Sequence, residues 1–147
     1  MPGFTTSFLF PDINVWVALS SGGHVHHHVA SDWHNSLDAH VRFCFCRFTQ
    51  SGMLRLLTAE AVMQDEVLTQ ADAWRVYDSW ADAGAEFLDE PLELERRFRA
   101  LTRSRHSSPK VWADAYLAAF AEASQVTLVT FDRAFRGKVR PLILLEE

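Results

Sequence analysis

Short continuous runs of apolar residues alternate along this chain with longer segments in which apolar residues recur every three or four positions. The short runs are typical of strands buried on both faces of a sheet, and the longer segments of amphipathic helices. Strands are predicted over residues 8–11, 41–46, 87–88, 126–131 and 142–145. Helices are predicted between them, over residues 15–20, 25–37, 49–57, 70–80, 92–102 and 109–124. This alternation predicts an α/β fold with helices on both faces of a central, mainly parallel sheet.

Polar residues mark where two of these helices begin. Thr49 is the predicted N-cap of the helix that follows the second strand, because a threonine hydroxyl can accept a bond from a free N–H of the first turn. The segment Ser107-Ser108-Pro109 places serine at a cap and proline at the first helical position. The predicted starts are therefore Thr49 and Pro109.

Three aspartates lie where an apolar element ends or turns. Asp12 follows the first strand, Asp132 follows the strand at 126–131, and Asp114 lies in the apolar helix at 109–124. An ionised carboxylate in apolar surroundings is costly unless a cation or hydrogen bonds compensate it. Ligands gather at the carboxyl ends of parallel strands, so Asp12 and Asp132 are expected to converge there. Asn14 is an alternative helix cap that would leave Asp12 free. The three carboxylates predict a shared Mg²⁺ or Mn²⁺ site.

Charge is unevenly distributed along the 147 residues, which carry a net charge of −5. Residues 1–95 hold 14 acids and 4 bases, whereas residues 96–147 hold 5 acids and 10 bases. A local basic field can gather phosphates on a protein that is acidic overall. The predicted RNA-binding residues are Arg96, Arg97, Arg99, Arg103, Arg105 and Arg133. The alternative is a solvated helix face followed by a basic tail.

Four segments together resemble one known family. Residues 10–16, FPDINVW, are similar to the opening Asp-x-Asn-x-(Leu/Trp) motif of PIN-domain ribonucleases. Residues 113–121, ADAYLAAFA, resemble the later helix motif of that family, and residues 130–135, TFDRAF, resemble its Thr-x-Asp-x-x-Phe turn. Residues 47–58, RFTQSGMLRLLT, are similar to a mycobacterial-type subfamily of the VapC toxins. The order of the four segments is also that of the family.

This resemblance implies a single PIN domain over residues 1–147, with a three-layer αβα arrangement. It implies a Mg²⁺- or Mn²⁺-dependent endoribonuclease, the toxin of a toxin–antitoxin pair, which cuts tRNA, rRNA or mRNA to stop translation and growth. The metal ligands and catalytic residues would be Asp12, Asp114 and Asp132. The implied partners are RNA, a cognate antitoxin and a second copy of the chain, in a heterotetramer or larger complex with the antitoxin. Met53 and Leu57 are candidates for part of a groove that holds an antitoxin helix.

The chain departs from the PIN pattern at one position. Most PIN nucleases have a glutamate early in the helix after the second strand, and that position is Gly52 here. Gln50 and Arg55 are candidates to contribute from the same region, as are Glu60 and Glu66 from farther along the chain. Supporting roles are also open for Asn14 and for Thr130, whose hydroxyl would bind a metal-bound water or a phosphate.

Several other residues are of types that can bind metals or bases, but their sequence patterns favour structural roles. His24, His26, His27 and His28 form a histidine-rich segment at the start of a predicted amphipathic helix, and this segment is not predicted to hold a transition metal. The five tryptophans all fall on helical stripes and are expected in the core rather than as platforms for bases. Cys44 and Cys46 are predicted to be buried free thiols, because a disulfide between residues two apart would be strained.

Two other functions remain as alternatives. The glycine at position 52 fits a catalytically weak PIN-like RNA-binding module. An aspartate-nucleophile phosphatase would use Asp12, but Asn14 stands where such enzymes need a second acid. No apolar stretch reaches the roughly 18 residues of a membrane span, and residues 1–12 lack the features of a signal peptide. A cytoplasmic protein with no membrane partner is therefore expected.

Overall fold

The computed structural model describes residues 8–146. Most of the N-terminal segment that was assessed as a possible signal peptide lies outside them. Five strands form one sheet in the order β3-β2-β1-β4-β5, and every neighbouring pair is parallel. The strands are β1 Phe8–Pro11, β2 Arg42–Phe45, β3 Glu86–Phe87, β4 Thr127–Thr130 and β5 Leu142–Leu144. The predicted parallel sheet is confirmed.

Helices connect the strands, as a parallel sheet requires. They are α1 Ile13–Ser20, α2 His27–Asn35, α3 Arg47–Leu57, α4 Glu60–Met63, α5 Gln70–Asp82, α6 Leu94–Ala100 and α7 Val111–Ser124. Single 3₁₀ turns occupy Gln64–Glu66 and Arg133–Phe135. The short helix α4 was not predicted, because four residues are too few to show a helical period.

Hydrophobic clusters cover both faces of the sheet, which gives the three layers that were expected. On one face, Phe10 packs on Phe120 of α7, with ring centroids 4.8 Å apart. On the other face, Trp16 of α1 is fully buried and stacks on Phe45 of β2, with ring centroids 3.9 Å apart. Burial on both faces explains why the strands appear in the sequence as continuous apolar runs.

The structure shifts the starts of five of the six predicted helices by two residues each, so that α1 begins at Ile13 and α6 at Leu94. Helix α3 begins at Arg47 and not at Thr49, because Thr49 lies in its first turn and its hydroxyl accepts from the backbone N–H of Cys46 at 3.0 Å. Helix α7 begins at Val111 and not at Pro109, since Ser108–Val111 forms a turn before it. Val25 is 79% exposed and precedes α2, which begins at His27.

The burial of individual side chains tests several further predictions. Met53 and Leu57 are 0% and 1% exposed, so the prediction that they line a partner groove is wrong. They instead carry α3 onto the same core cluster as Trp16. Cys44 and Cys46 are buried and free, as predicted. Among residues 8–146, no helix combines the length and the apolar character that crossing a bilayer requires.

Candidate active site

The topology brings two of the three aspartates to one edge of the sheet. Strands β1 and β4 are parallel neighbours, and Pro11 is in register with Val129. Asp12 follows β1 directly, and its backbone N–H donates to the carbonyl of Val129 at 2.8 Å. Asp132 lies two residues beyond β4. Their positions therefore follow from the sheet order, as predicted.

Asp12 makes two hydrogen bonds that fix its carboxylate. One oxygen, Oδ1, accepts from the backbone N–H of Ile13 at 2.6 Å, and Asp12 is the N-cap of α1. The other oxygen, Oδ2, accepts from the hydroxyl of Thr130 at 2.9 Å. The alternative in which Asn14 caps the helix is therefore wrong, and Asn14 is an exposed residue of the first turn.

Thr130 links the first and third aspartates. Its side chain is fully buried, and the hydroxyl that donates to Asp12 also accepts from the backbone N–H of Asp132 at 3.0 Å. The carboxylate of Asp132 accepts in turn from the N–H of Ala134 at 2.9 Å and caps the 3₁₀ turn that follows. One hydroxyl thus connects the ends of β1 and β4.

Asp114 approaches from the helix that packs beside β4. It lies in the first turn of α7 and is half-buried, while its neighbour Ala115 is 6% exposed. The small side chains of Ala115 and Ala118 let the start of this helix lie close to the sheet, and Asp114 therefore reaches the same cavity as the strand-end aspartates.

All three aspartates line one cavity of about 550 Å³. The remaining wall residues come from α1, α3, α7, the last residue of β4 and the residue after it. They are Ile13, Asn14, Phe48, Arg55, Leu56, Ala113, Leu117, Thr130 and Phe131. Gln50 is absent from this wall, since its amide oxygen accepts from the guanidinium of Arg47. Of the two α3 candidates, the structure therefore places Arg55 at the cavity.

The electrostatics of the cavity disfavour ionised carboxylates. Burial raises the pKa of Asp12 above its usual range, and the negative charges of Asp114 and Asp132 raise it further against the two hydrogen bonds that lower it. Burial also raises the pKa of Asp114, as does the charge of Asp132, whereas Lys138 lowers it. The three carboxylates therefore repel one another, which is the situation that a bound cation relieves.

The carboxylates do not form a ready-made ligand set. Within residues 8–146, no three histidine, cysteine, aspartate or glutamate side chains are already grouped to hold a metal ion. Asp12 and Asp132 each use one carboxylate oxygen to cap the helix or 3₁₀ turn that follows. This bond holds each carboxylate close to the turn that it caps. Mutual repulsion also opposes a closer approach.

Comparison with known proteins assigns this arrangement to a family. A family model described as PIN domain matches residues 9–140. Ribonuclease VapC41 of Mycobacterium tuberculosis is 42% identical over 136 residues, which span 86% of this chain and 90% of that protein. The chain belongs to the PIN-domain family, among the VapC ribonucleases.

Solved structures share the fold of this VapC homologue. M. tuberculosis VapC20, a sarcin-ricin loop cleaving toxin, has a TM-score of 0.64 at 18% identity and covers 88% of this chain and 94% of its own. VapBC2 from Rickettsia felis, solved with a DNA fragment from its promoter, has a TM-score of 0.65 at 14% identity, covering 93% and 96%. At these identities the likeness concerns the fold alone.

The glycine at position 52 of this PIN domain has a packing reason. A Cβ atom there would lie 2.2 Å from Cδ1 and 2.7 Å from Cγ1 of Ile13, closer than atoms of real side chains approach. Helices α1 and α3 therefore pack so closely that Ile13 fills the space where a glutamate would begin. Neither Glu60 nor Glu66, the more distant candidates, lines the cavity.

The arginines predicted to bind RNA differ in their surroundings. Arg96 pairs with Glu93 at 3.1 Å, and Arg99 pairs with Glu95 at 2.9 Å. Arg97 turns toward Glu122 of α7 at 3.2 Å. Arg133 lies 3.5 Å from Glu146. Arg103 and Arg105 are exposed and pair with no acid between residues 8 and 146.

The histidine-rich segment borders the same cavity. The ring of His26 stacks on Phe131, with centroids 4.6 Å apart, and Phe131 is one of the wall residues. His27 lies back on α1, with Nδ1 2.7 Å from the carbonyl of Ala18. Sequence patterns missed Phe131 as a part of the site. The position of Phe131 between Thr130 and Asp132 was the available signal.

Proposed function

We propose that this VapC homologue is a Mg²⁺- or Mn²⁺-dependent endoribonuclease and the toxin of a toxin–antitoxin pair. Its cleavage of tRNA, rRNA or mRNA would stop translation and growth. One observation carries the proposal: Asp12, Asp114 and Asp132 line a single cavity although they come from three separate parts of the chain. The ribonuclease VapC41, with which 86% of this chain aligns, supports the substrate class.

The donor chemistry of the cavity fits a hard divalent cation. Carboxylate oxygens are the ligands that Mg²⁺ prefers, and it keeps several waters and uses few protein oxygens. Asp12, Asp114 and Asp132 would hold the ion. Burial and mutual repulsion raise the pKa of Asp12 and of Asp114, and among the described residues no lysine or arginine fully offsets their negative charge. When bound, such an ion activates water and neutralises charge that develops on a phosphodiester.

Hydrogen bonds within the chain fix the positions of the aspartates before RNA binds. Thr130 holds Asp12 in one rotamer and fixes the backbone of Asp132, so the two strand ends keep their spacing. Arg55 lies in the wall of the cavity without an ion pair among the described residues and is suited to a substrate phosphate. The wall residues Phe48, Leu56 and Phe131 add apolar surface to the cavity.

Regulation by a protein partner belongs to the same proposal. VapBC2 and the Klebsiella pneumoniae complex, a toxin–antitoxin pair with a TM-score of 0.60, share this fold with the chain. By this likeness we propose that residues 1–147 form one PIN domain, that it pairs with a second copy, and that an antitoxin silences it in a heterotetramer or larger complex in the cytoplasm. The basic groups of such a partner would pair with the repelling aspartates.

The deciding experiment is cleavage of total RNA by the purified chain with Mg²⁺, with Mn²⁺ and with a chelator, followed by sequencing of the RNA ends. We expect discrete cuts that require the metal and that disappear in Asp114→Asn. RNA binding without cleavage would instead identify a PIN-like binding module. Release of inorganic phosphate from a small phosphomonoester, with intact RNA, would favour the aspartate-nucleophile phosphatase.

A further inference from the structure

A second cavity, of about 540 Å³, adjoins the aspartate cavity at the start of α7. Its wall comes from α6, the segment after it, and the first turn of α7. The residues are Glu95, Phe98, Arg99, Thr102, Arg103 and Trp112. Consecutive residues at the start of α7 line the two cavities, Trp112 this one and Ala113 the aspartate cavity. We refer to it as the Trp112 cavity.

Trp112 is exposed, contrary to the expectation that every tryptophan lies in the core. It is 54% exposed, and Phe98 contacts it edge to face with ring centroids 5.9 Å apart. Because more than half of Trp112 is exposed, part of its flat apolar surface remains open to the cavity. An aromatic side chain supported in this way suits a flat, polarisable ligand.

The charge of the Trp112 cavity is positive. Among residues 8–146, Glu95 is the one acid that lines it, and that carboxylate is already paired with Arg99 at 2.9 Å. Arg103 pairs with no acid in the described part of the chain, so its charge is available to a ligand. Arg105 and Lys110, both exposed, continue the basic surface along the segment that leads to α7.

From these observations we infer that the Trp112 cavity is a nucleobase subsite, in which a base of single-stranded RNA stacks on Trp112 while Arg103 contacts the neighbouring phosphate. This inference rests on the proposed ribonuclease function and adds a position at which the RNA is held. An aromatic face beside an unpaired arginine is the usual combination for single-stranded nucleic acid. Since consecutive residues of α7 line the two cavities, the stacked base belongs to a nucleotide near the one that is cut.

The test measures binding rather than cleavage, in a chain that carries Asp114→Asn so that RNA stays intact. The probes are short single-stranded RNA oligonucleotides that span a mapped cut site, at fixed salt. Trp112→Ala should weaken binding by about 5- to 150-fold, the range expected for the loss of one base–aromatic stack. Trp112→Phe should retain most of the affinity, because phenylalanine also offers a ring to a base.

The matched control is Trp74→Ala. Trp74 is 47% exposed on α5 and also has one edge-to-face aromatic neighbour at 5.9 Å, Tyr77, but it lies outside both cavities. Its replacement should leave RNA affinity unchanged. Equal losses for Trp74→Ala and Trp112→Ala would overturn the inference, because they would reflect general destabilisation.

A scan with single abasic nucleotides identifies the contact directly. In the parent chain, an abasic nucleotide at one position near the cut site should lower RNA affinity. The same abasic nucleotide should leave the RNA affinity of Trp112→Ala unchanged. A flat scan, or one that Trp112→Ala leaves unaltered, would show that this cavity holds no base and that the tryptophan serves a protein partner. Absence of metal-dependent cleavage would refute the proposed function instead, and the binding scan reports on the subsite independently of it.

Discussion

The hydroxyl of Thr130 donates a hydrogen bond to the carboxylate of Asp12 across 118 residues of chain, at 2.9 Å. It is the one contact that fixes the side chain of the first aspartate to the strand that carries the third. The same hydroxyl accepts from the N–H of Asp132, so both of its bonding directions are used. Substitutions that remove or move this hydroxyl are therefore expected to affect the positions of both aspartates.

Thr130→Val should lower RNA cleavage by roughly 10- to 100-fold, the loss expected for a hydrogen bond to a charged group, and Thr130→Ser should restore it. The bond to Thr130 lowers the pKa of Asp12, which burial raises. Removing it therefore leaves Asp12 protonated to a higher pH, and the acidic limb of the pH–rate profile should move upward. Profiles of the valine and serine variants test this. An unmoved acidic limb in Thr130→Val would assign the hydroxyl a purely structural role.

Asp12→Asn should abolish cleavage and stabilise the fold at neutral pH in the presence of a chelator. The amide oxygen can still accept from Ile13 and cap α1, while the buried charge is lost. Because the pKa of Asp12 is raised in the folded chain, the folded state binds more protons there than the unfolded state, and its ionisation lowers stability as pH rises.

Thermal unfolding as a function of pH measures this effect. We expect Tm to rise by roughly 2–4 °C in Asp12→Asn at pH 7, which is what about 1 kcal/mol gives in a chain of this size. The difference should vanish below about pH 4, where the aspartate of the unfolded chain is also protonated. Added Mg²⁺ should raise Tm of the parent but not of the variant. A variant less stable than its parent at pH 7 would contradict the repulsion.

Asp114→Asn and Asp132→Asn should likewise abolish cleavage, since each removes one anionic oxygen from the same cavity. Circular dichroism should show an unchanged fold, because neither side chain belongs to the hydrophobic core. Cleavage at the parental rate in either variant, measured at saturating metal, would remove that residue from the site.

Gly52→Ala should destabilise the chain by roughly 1–2 kcal/mol, although alanine is the better helix former. Overpacking costs about 1–3 kcal/mol, and here it exceeds the gain of about 1 kcal/mol in helix propensity. The methyl group would meet the side chain of Ile13. In a double-mutant cycle, Ile13→Ala combined with Gly52→Ala should therefore cost less than the sum of the two single changes. Additive urea unfolding energies would show that α1 and α3 have room to separate.

Replacing both Arg103 and Arg105 with glutamine should make the salt dependence of RNA binding shallower, by about 0.7 in the log–log slope for each phosphate contact. The matched pair is Arg96 and Arg99, which are equally exposed but already pair with Glu93 and Glu95. Their replacement should change the slope less. Equal slopes for the two double variants would mean that ion pairing does not decide which arginines meet RNA.

The strands and the two strand-end aspartates were predictable, because continuous apolar runs and the parallel topology together determine where β1 and β4 end. Sequence patterns could not show which neighbours each side chain contacts. The cap of α3 was placed at Thr49, three residues after the actual cap Cys46, since the bond between these two residues depends on a backbone turn that residue identity does not encode. Trp112 fell on a helical stripe like Trp16, yet only Trp16 meets a neighbouring strand. The metal assignment and the roles of the aspartates rest on chemistry and stay predictions.

The placement of β4 between β1 and β5 also sets when a growing chain can form the aspartate cavity. Strand β1 leaves the ribosome early, but its neighbour β4 begins only at Thr127, near the other end of the sequence. N-terminal parts of a chain fold first during synthesis, whereas contacts distant in sequence wait for both partners. Until Asp132 has emerged, the nascent protein has neither the third carboxylate nor the hydroxyl that orients the first. Under the proposed function, RNA cleavage therefore cannot begin before the chain has been synthesised beyond Asp132, and a silencing partner already present would meet each new molecule as it folds.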